Sequence, residues 1–231
     1  ADVGFITFAQ HERSPTAVIC DADACSLRFW DWRRGEIVAR VALPEGAWGR
    51  GIASRSAGRW LLAHDSRNTA ALVDTQLATL AQQWTASHAD MNRTALGAGT
   101  LLRPEPTDPT GCTLEVLDLR EAGVQRRWSI VLDEAPSNIV CDGNESMAAL
   151  TFTAGELRFL SMGDGRELHR RCSNHRPHYR RVQSLGRPNE LLALGTGGHA
   201  FLRCDDRGVT FGPHVAVGAD GVDGRTIRAG N

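Results

Sequence analysis

Lysine is absent from this sequence: all 26 basic residues are Arg. Two readings stand. One is compositional bias of the genome; the other is a use of forked or stacked guanidinium contacts that an ammonium cannot make. Long apolar runs are missing too, and without a stretch of ~18 such residues no transmembrane helix is expected. The opening "ADVGFITFAQ" lacks the basic and apolar regions of a secretory leader, so none is expected there. No Cys-x-x-Cys occurs. The six Cys are scattered, the nearest pair being Cys20 and Cys25 around a turn. They read as buried thiols of a reducing compartment, which points to a cytoplasmic protein. The net charge of −1 leaves no chain-wide attraction to nucleic acid or membrane, so any electrostatic function is local.

Helical periodicity is nearly absent as well. The best candidate, "DTQLATLAQQW", spaces Leu77, Leu80 and Trp84 as a helix would, but it also alternates as a strand. Elsewhere short alternating apolar runs lie between Gly, Asp, Asn and Pro turns, an all-β pattern. One feature of these runs repeats. "SLRFWDW", "TAALVDT" and "TLEVLDL" end at Asp31, Asp74 and Asp118; "ELRFLSM" and "AFLRCDD" place Ser161 and Cys204 there. The spacings are 43, 44, 43 and 43 residues. Two positions earlier stand Phe29, Leu72, Val116, Phe159 and Leu202, on one strand face and expected against a neighbouring unit. These landmark strands are expected to be the best buried of each unit.

A period of about 43 residues with four strands per unit is the mark of a β-propeller. The spacing predicts blades near 4–43, 47–87, 90–133, 136–174 and 178–217, with 222–231 as an extra closing or sixth-blade strand. In the second blade the four strands are read in "GRGIASRSAG", "RWLLAHD", "TAALVDT" and "LATLAQQWTA". The three Pro of "RPEPTDPTG" make an extended surface loop of Arg103 to Gly111 rather than a strand. "DADACSLRFWDW" and "AHDSRNTAALVD" resemble WD40 repeats, with an Asp-containing turn before a strand ending in Trp-Asp or an apolar-Asp pair. "SHADMNRTAL" resembles the Gly-His segment that opens such a repeat, with Ser87 replacing Gly. The five landmarks give a propeller of about five blades, whereas the WD40 proteins it resembles usually form larger rings of seven. Its ring either closes on an overlapping strand or stays open. The resemblance implies a non-catalytic scaffold that presents a rigid face to a protein partner or multi-subunit complex.

The stretch "HRRCSNHRPHYRR" holds His169, Cys172, His175 and His178 at every third position, among five Arg. A metal reading fails on geometry. Three-residue spacing sends strand side chains to opposite faces, and only a polyproline-like segment would bring all four together. The neighbouring Arg would also repel a cation, so no metal and no cofactor is expected. An anion or partner reading fits better, through forked donors on Arg176, Arg180 and Arg181 and flat surfaces on His178 and Tyr179. The remaining alternative is an idle, solvated basic loop. Trp48, Arg50 and His88, in the connections between the earlier blades, complete the expected partner-binding set.

Other chemistry is thin. Asp23, Asp65 and Asp108 precede third strands, where turn hydrogen bonding competes with a ring of hydrolase carboxylates. His64, Asp65 and Ser66 adjoin but do not form a triad. No G-x-S-x-G or P-loop occurs, and "GTGGHA" reads as a hairpin turn. Trp84 and Trp128 share a place ten residues after their landmarks, which keeps a carbohydrate-binding or glycoside-processing propeller as the alternative. The Arg-only basic set suggests, as a further alternative, a subunit of an RNA- or ribosome-associated assembly.

Overall fold

The computed structural model describes residues 3–11, 14–48, 52–107, 111–121, 123–172, 178–196, 198–205 and 208–216. They form five antiparallel sheets in chain order. Blade one is β1 (Val3–His11), β2 (Ser14–Asp21), β3 (Ser26–Asp31) and β4 (Glu36–Ala42). Blade two is β5 (Ile52–Ala57), β6 (Trp60–His64), β7 (Thr69–Asp74) and β8 (Thr79–Thr85). A short helix, α1 (His88–Arg93), leads into blade three: β9 (Ala95–Leu96), β10 (Thr100–Pro106), β11 (Cys112–Arg120) and β12 (Gly123–Leu132). Blade four is β13 (Asn138–Cys141), β14 (Met147–Thr151), β15 (Leu157–Ser161) and β16 (Glu167–Arg171). Blade five is β17 (Tyr179–Ser184), β18 (Glu190–Gly195), β19 (Gly198–Asp205) and β20 (Gly208–Phe211), with β21 (Val215–Ala216) also pairing along β19. The innermost strands β1, β5, β9, β13 and β17 neighbour one another in sequence order, and no comparable contact joins β17 to β1 among the described residues. The arrangement is an open arc. The segment 222–231 lies outside the described residues.

Four apolar clusters hold the blades together, one at each joint. Val18, Leu27 and Phe29 of blade one meet Leu61, Ala71 and Val73 of blade two. Leu62 and Leu72 meet Leu101 and Leu117 at the second joint. Val116 packs with Ala148 and Leu160 at the third, and Phe159 packs with Leu191 and Leu202 at the fourth. Each blade thus buries both faces only where a neighbour stands on both sides. The landmark carboxylates explain the sequence period. Asp31 Oδ1 accepts hydrogen bonds from the amides of Arg33 and Arg34, and Asp74 Oδ1 from those of Gln76 and Leu77. Ser161 Oγ replaces them by accepting from Gly163. A short polar side chain that bonds its own backbone two residues on fixes the turn between third and fourth strands.

Several expectations need correction. The landmark strands are not the best buried in every blade: all of β6 and β14 is buried while β3 and β15 are only partly so, but in blade three the landmark strand β11 is buried continuously from Leu114 to Leu119. The segment "SHADMNRTAL" opens as α1, not as a strand-leading Gly-His turn. Ser87 caps it, accepting from the Asp90 amide, while the Asp90 carboxylate accepts from the Ser87 amide. The helix candidate around Leu77 to Trp84 is strand β8. In "RPEPTDPTG", the residues Arg103 to Pro106 extend β10 beside Cys112–Glu115, because β11 continues far enough to pair with them. No helix among the described residues is long and apolar enough to cross a membrane.

The fifth landmark is displaced by one residue. In blades two, three and four the landmark pairs with the first residue of the second strand: Trp60 with Asp74, Thr100 with Asp118, Met147 with Ser161. In blade five Glu190 pairs with Arg203, not Cys204. A one-residue slip exchanges the two faces of a strand. Leu202 is buried against a neighbouring blade, but that blade is the preceding one, whereas Phe29, Leu72, Val116 and Phe159 all face the following one.

Candidate partner-binding face

Every blade-to-blade connection runs from an outermost strand to the next innermost strand, so all of them emerge on one side of the arc. The turns between second and third strands emerge there too. We term this side the upper rim; the other turns lie on the lower rim.

The lower rim ties the joints. His11 Nδ1 lies 2.9 Å from the Thr75 carbonyl, across the first joint. Arg59 donates to Glu121 at 2.8 Å across the second. The Glu145 carboxylate accepts from the amides of Ala98 and Gly99 and from Thr100 Oγ1 across the third. Asp142 Oδ2 accepts from the Asn189 amide at 3.2 Å across the fourth.

The upper rim carries the residues singled out from sequence, and it divides them. Trp48 is wholly buried in the first joint, its indole Nε1 donating to the Pro44 carbonyl at 2.8 Å. Gly4 lets β1 pass against the Trp48 carbonyl, where a Cβ would lie 2.0 Å away. Nearby, Asp65 Oδ2 accepts from the Ala47 amide and its Oδ1 from Arg67 and Thr69. This buried carboxylate fixes a turn and a connection and has no open side for hydrolysis. Tyr179 is also inside. Its ring stacks on Phe211 at 6.0 Å, and the Arg171 guanidinium lies 5.5 Å from it and 4.8 Å from Phe211. Burial raises the Tyr179 phenol pKa above its ordinary value, against a smaller downward pull from Arg171. Trp48 and Tyr179 therefore offer no surface to a partner in this structure: each is turned inward by a close-packed joint.

The stretch beginning at His169 separates by strand face. His169 and Arg171 share the face of Phe159 and line the fourth joint; His169 lies 6.0 Å from the Phe159 ring and 6.2 Å from that of Phe211. Arg170, on the other face, pairs with Glu167 at 2.9 Å. Arg180 and Arg181 are exposed at the start of β17, and neither has a carboxylate partner among the described residues. His178 is half-buried, its ring against Gly155, whose φ of +84° keeps a side chain out of that space. His88 is exposed on α1, its ring 5.9 Å from that of His64. Arg50, His175 and Arg176 lie outside the described residues, as does Asp108. Among the described residues no group of three or more His, Cys, Asp or Glu is placed to hold a metal. None of the six Cys is disulfide-bonded, and only Cys172 is exposed.

Trp84 and Trp128 are not a repeated sugar platform. Arg103 lies over the Trp84 ring at 5.2 Å, and Trp128 Nε1 donates to the Met162 carbonyl at 2.9 Å. Sequence reasoning missed the aromatic joint around Phe211 and the helix α1. The Ser87-x-x-Asp90 spacing is a capping signal that could have revealed the latter.

No family model and no curated protein sequence matches this chain. Solved structures do match in fold. Hsv2 of Kluyveromyces lactis superposes with a TM-score of 0.63 at 10% identity, over 87% of this chain and 62% of that one. The chain thus spans about three-fifths of the Hsv2 chain. The β-propeller domain of Cps50 (Swd1) from Myceliophteria thermophila gives 0.56 at 13% identity, over 94% and 72%. A chain of the mitotic checkpoint complex gives 0.56 at 8% identity, over 91% and 67%. A hydrazine synthase chain from Kuenenia stuttgartiensis matches as well, so the fold alone leaves catalysis open. The architecture is the WD40-like β-propeller that the repeats imply.

Proposed function

We propose that this protein is a non-catalytic interaction scaffold whose upper rim engages a protein partner, with His178, Arg180 and Arg181 as a basic edge. The observation that carries the reading is the contrast between the rims. Charged groups on the lower rim bond across the joints, whereas Arg180 and Arg181 stand in solvent without carboxylate partners among the described residues. A guanidinium pair on a rigid strand is prepared for forked contact with carboxylates of a partner. That propellers of this fold occur in a multi-protein complex is in keeping with the reading. Buried thiols fit an intracellular, reducing setting.

The test is the double variant Arg180→Glu, Arg181→Glu. It should leave stability within about 0.5 kcal/mol, as exposed charges usually do. It should reduce recovery of a protein partner from native extract, and added salt should weaken the wild-type complex in the same sense. Undiminished recovery would return the edge to solvent. Recovery abolished by ribonuclease would favour the RNA-associated alternative instead.

A further inference from the structure

Among the described residues four buried polar side-chain atoms lack a hydrogen-bond partner, and three of them lie in the second joint: Gln82 Oε1, Trp84 Nε1 and Arg103 Nε. Gln82 and Trp84 stand two apart on β8, opposite Leu72 and Ala70, and share the face that meets blade three. Arg103 stands two after Leu101 on β10 and faces back across the joint, its guanidinium 5.2 Å from the Trp84 ring. Arg103 is only 9% exposed. Beside them lies a cavity of about 70 Å³, whose lining includes Trp84, Asp90, Arg103, Pro104, Glu105 and Pro106. Glu105 and Pro106 are exposed at the end of β10, on the upper rim, so the cavity has its mouth there. A buried N–H without an acceptor is expensive, and two of them beside one cavity mark a place where an acceptor belongs.

We propose that this cavity is a recognition pocket for a primary carboxamide, the side chain of an Asn or Gln carried by the protein partner. Charge and bond count select that group. A cation has no lone pair to offer the Trp84 and Arg103 N–H groups. A carboxylate meets Glu105 and Asp90, and Arg103 is already shared between Glu105 at 2.6 Å and Glu115 at 2.7 Å. Like charges so close disfavour a further anion. A hydroxyl brings only one donor. A primary amide brings a carbonyl oxygen with two acceptor sites and an NH2 with two donors. Its oxygen matches the N–H groups of Trp84 and Arg103, and its NH2 matches the Glu105 carboxylate and Gln82 Oε1. A cavity of about 70 Å³ has room for roughly two waters at ~30 Å³ each, and so for that head group. Pro104 and Pro106 give apolar sides to the methylene stem. That the bearer is a protein rests on the scaffold reading of the upper rim; the chemistry of the pocket does not.

The test follows the indole N–H of Trp84 and the Nε–H of Arg103 by heteronuclear NMR as propionamide is added to the protein. Both resonances should shift in a saturable manner, in the millimolar range expected of so small a ligand, and propionate should move neither. Trp84→Phe should weaken the Arg103 response to propionamide by about tenfold, as the loss of one hydrogen bond does. Glu105→Ala, at an exposed position, should weaken both responses and serves in its place if Trp84→Phe does not fold. No response to propionamide, or an equal response to propionate, would overturn the pocket and leave its donors to ordered water. Partner recovery still lost in Arg180→Glu, Arg181→Glu would in that case keep the scaffold reading. Trp84→Phe should also lower partner recovery. A propionamide response with undiminished recovery in Trp84→Phe would make the ligand a free small amide and overturn the partner's side chain as its source.

Discussion

Phe159 and Phe201 occupy the same structural position in adjacent blades, and one is wholly buried while the other stands more than half in solvent. Both stand on third strands that pair with a neighbour on each edge. What differs is that, among the described residues, a blade follows Phe159 and none follows Phe201. A blade's composition therefore fixes which face is apolar, while burial comes from the neighbour. In this arc stability resides in the four joints rather than within any sheet.

The sharpest way to break that comparison is to truncate both rings. Phe159→Ala should cost about 3–5 kcal/mol in denaturant unfolding, because a wholly buried ring leaves a cavity. Phe201→Ala should cost less than about 1 kcal/mol, as a mainly exposed side chain does. Similar losses at the two positions would show that the end blade is held by its own sheet. A second expectation concerns the first joint. Burial, with a smaller contribution from Cys25, pushes the Cys20 thiol from 9.0 up to about 11. Its folded pKa lies above the unfolded one, so the stabilisation is complete below pH 9.0 and is lost as pH rises to about 11. A two-unit shift corresponds to a loss of roughly 2–3 kcal/mol over that window. Cys20→Ser should flatten this slope, and maleimide at neutral pH should label Cys172 well before Cys20. A smaller effect than at Phe159 is expected at the edge of the second joint, where α1 packs through Met91. Ser87→Ala removes the cap of α1 and should cost about 1 kcal/mol. A loss as large as that of Phe159→Ala would show that the whole of α1, with Met91, is released when the cap is removed.

The propeller was legible in the sequence because its period rests on chemistry that leaves a letter behind. A turn needing a short side-chain acceptor preserves Asp31 and Asp74, and Ser161 serves as a substitute, whereas Asp118 bonds the side chains of Arg120 and Arg127 instead. The displacement in blade five was not legible. Leu202 and Cys204 keep the apolar alternation that a landmark strand shows, while the true equivalent, Arg203, looks like a surface residue. Only pairing with Glu190 reveals it. The candidate site was legible in part. Exposure of Arg180 and Arg181 follows from their charge. The inward turn of Tyr179 depends on Phe211, more than 30 residues away, and the burial of Trp48 depends on the absence of a side chain at Gly4. Such contacts are made by the assembled arc and have no local signature.

The open arc also sets an order of events when the protein is stressed. Among the described residues, blades two, three and four are each held on two sides and blades one and five on one. Pulling or heating should therefore release a terminal blade first and expose the joint beneath it, which then becomes the next weakest. Such a chain peels from its ends, whereas a closed ring must first lose one joint outright before any blade is free. Exchange rates should accordingly fall from the outer blades to blade three, giving a gradient of protection along the chain.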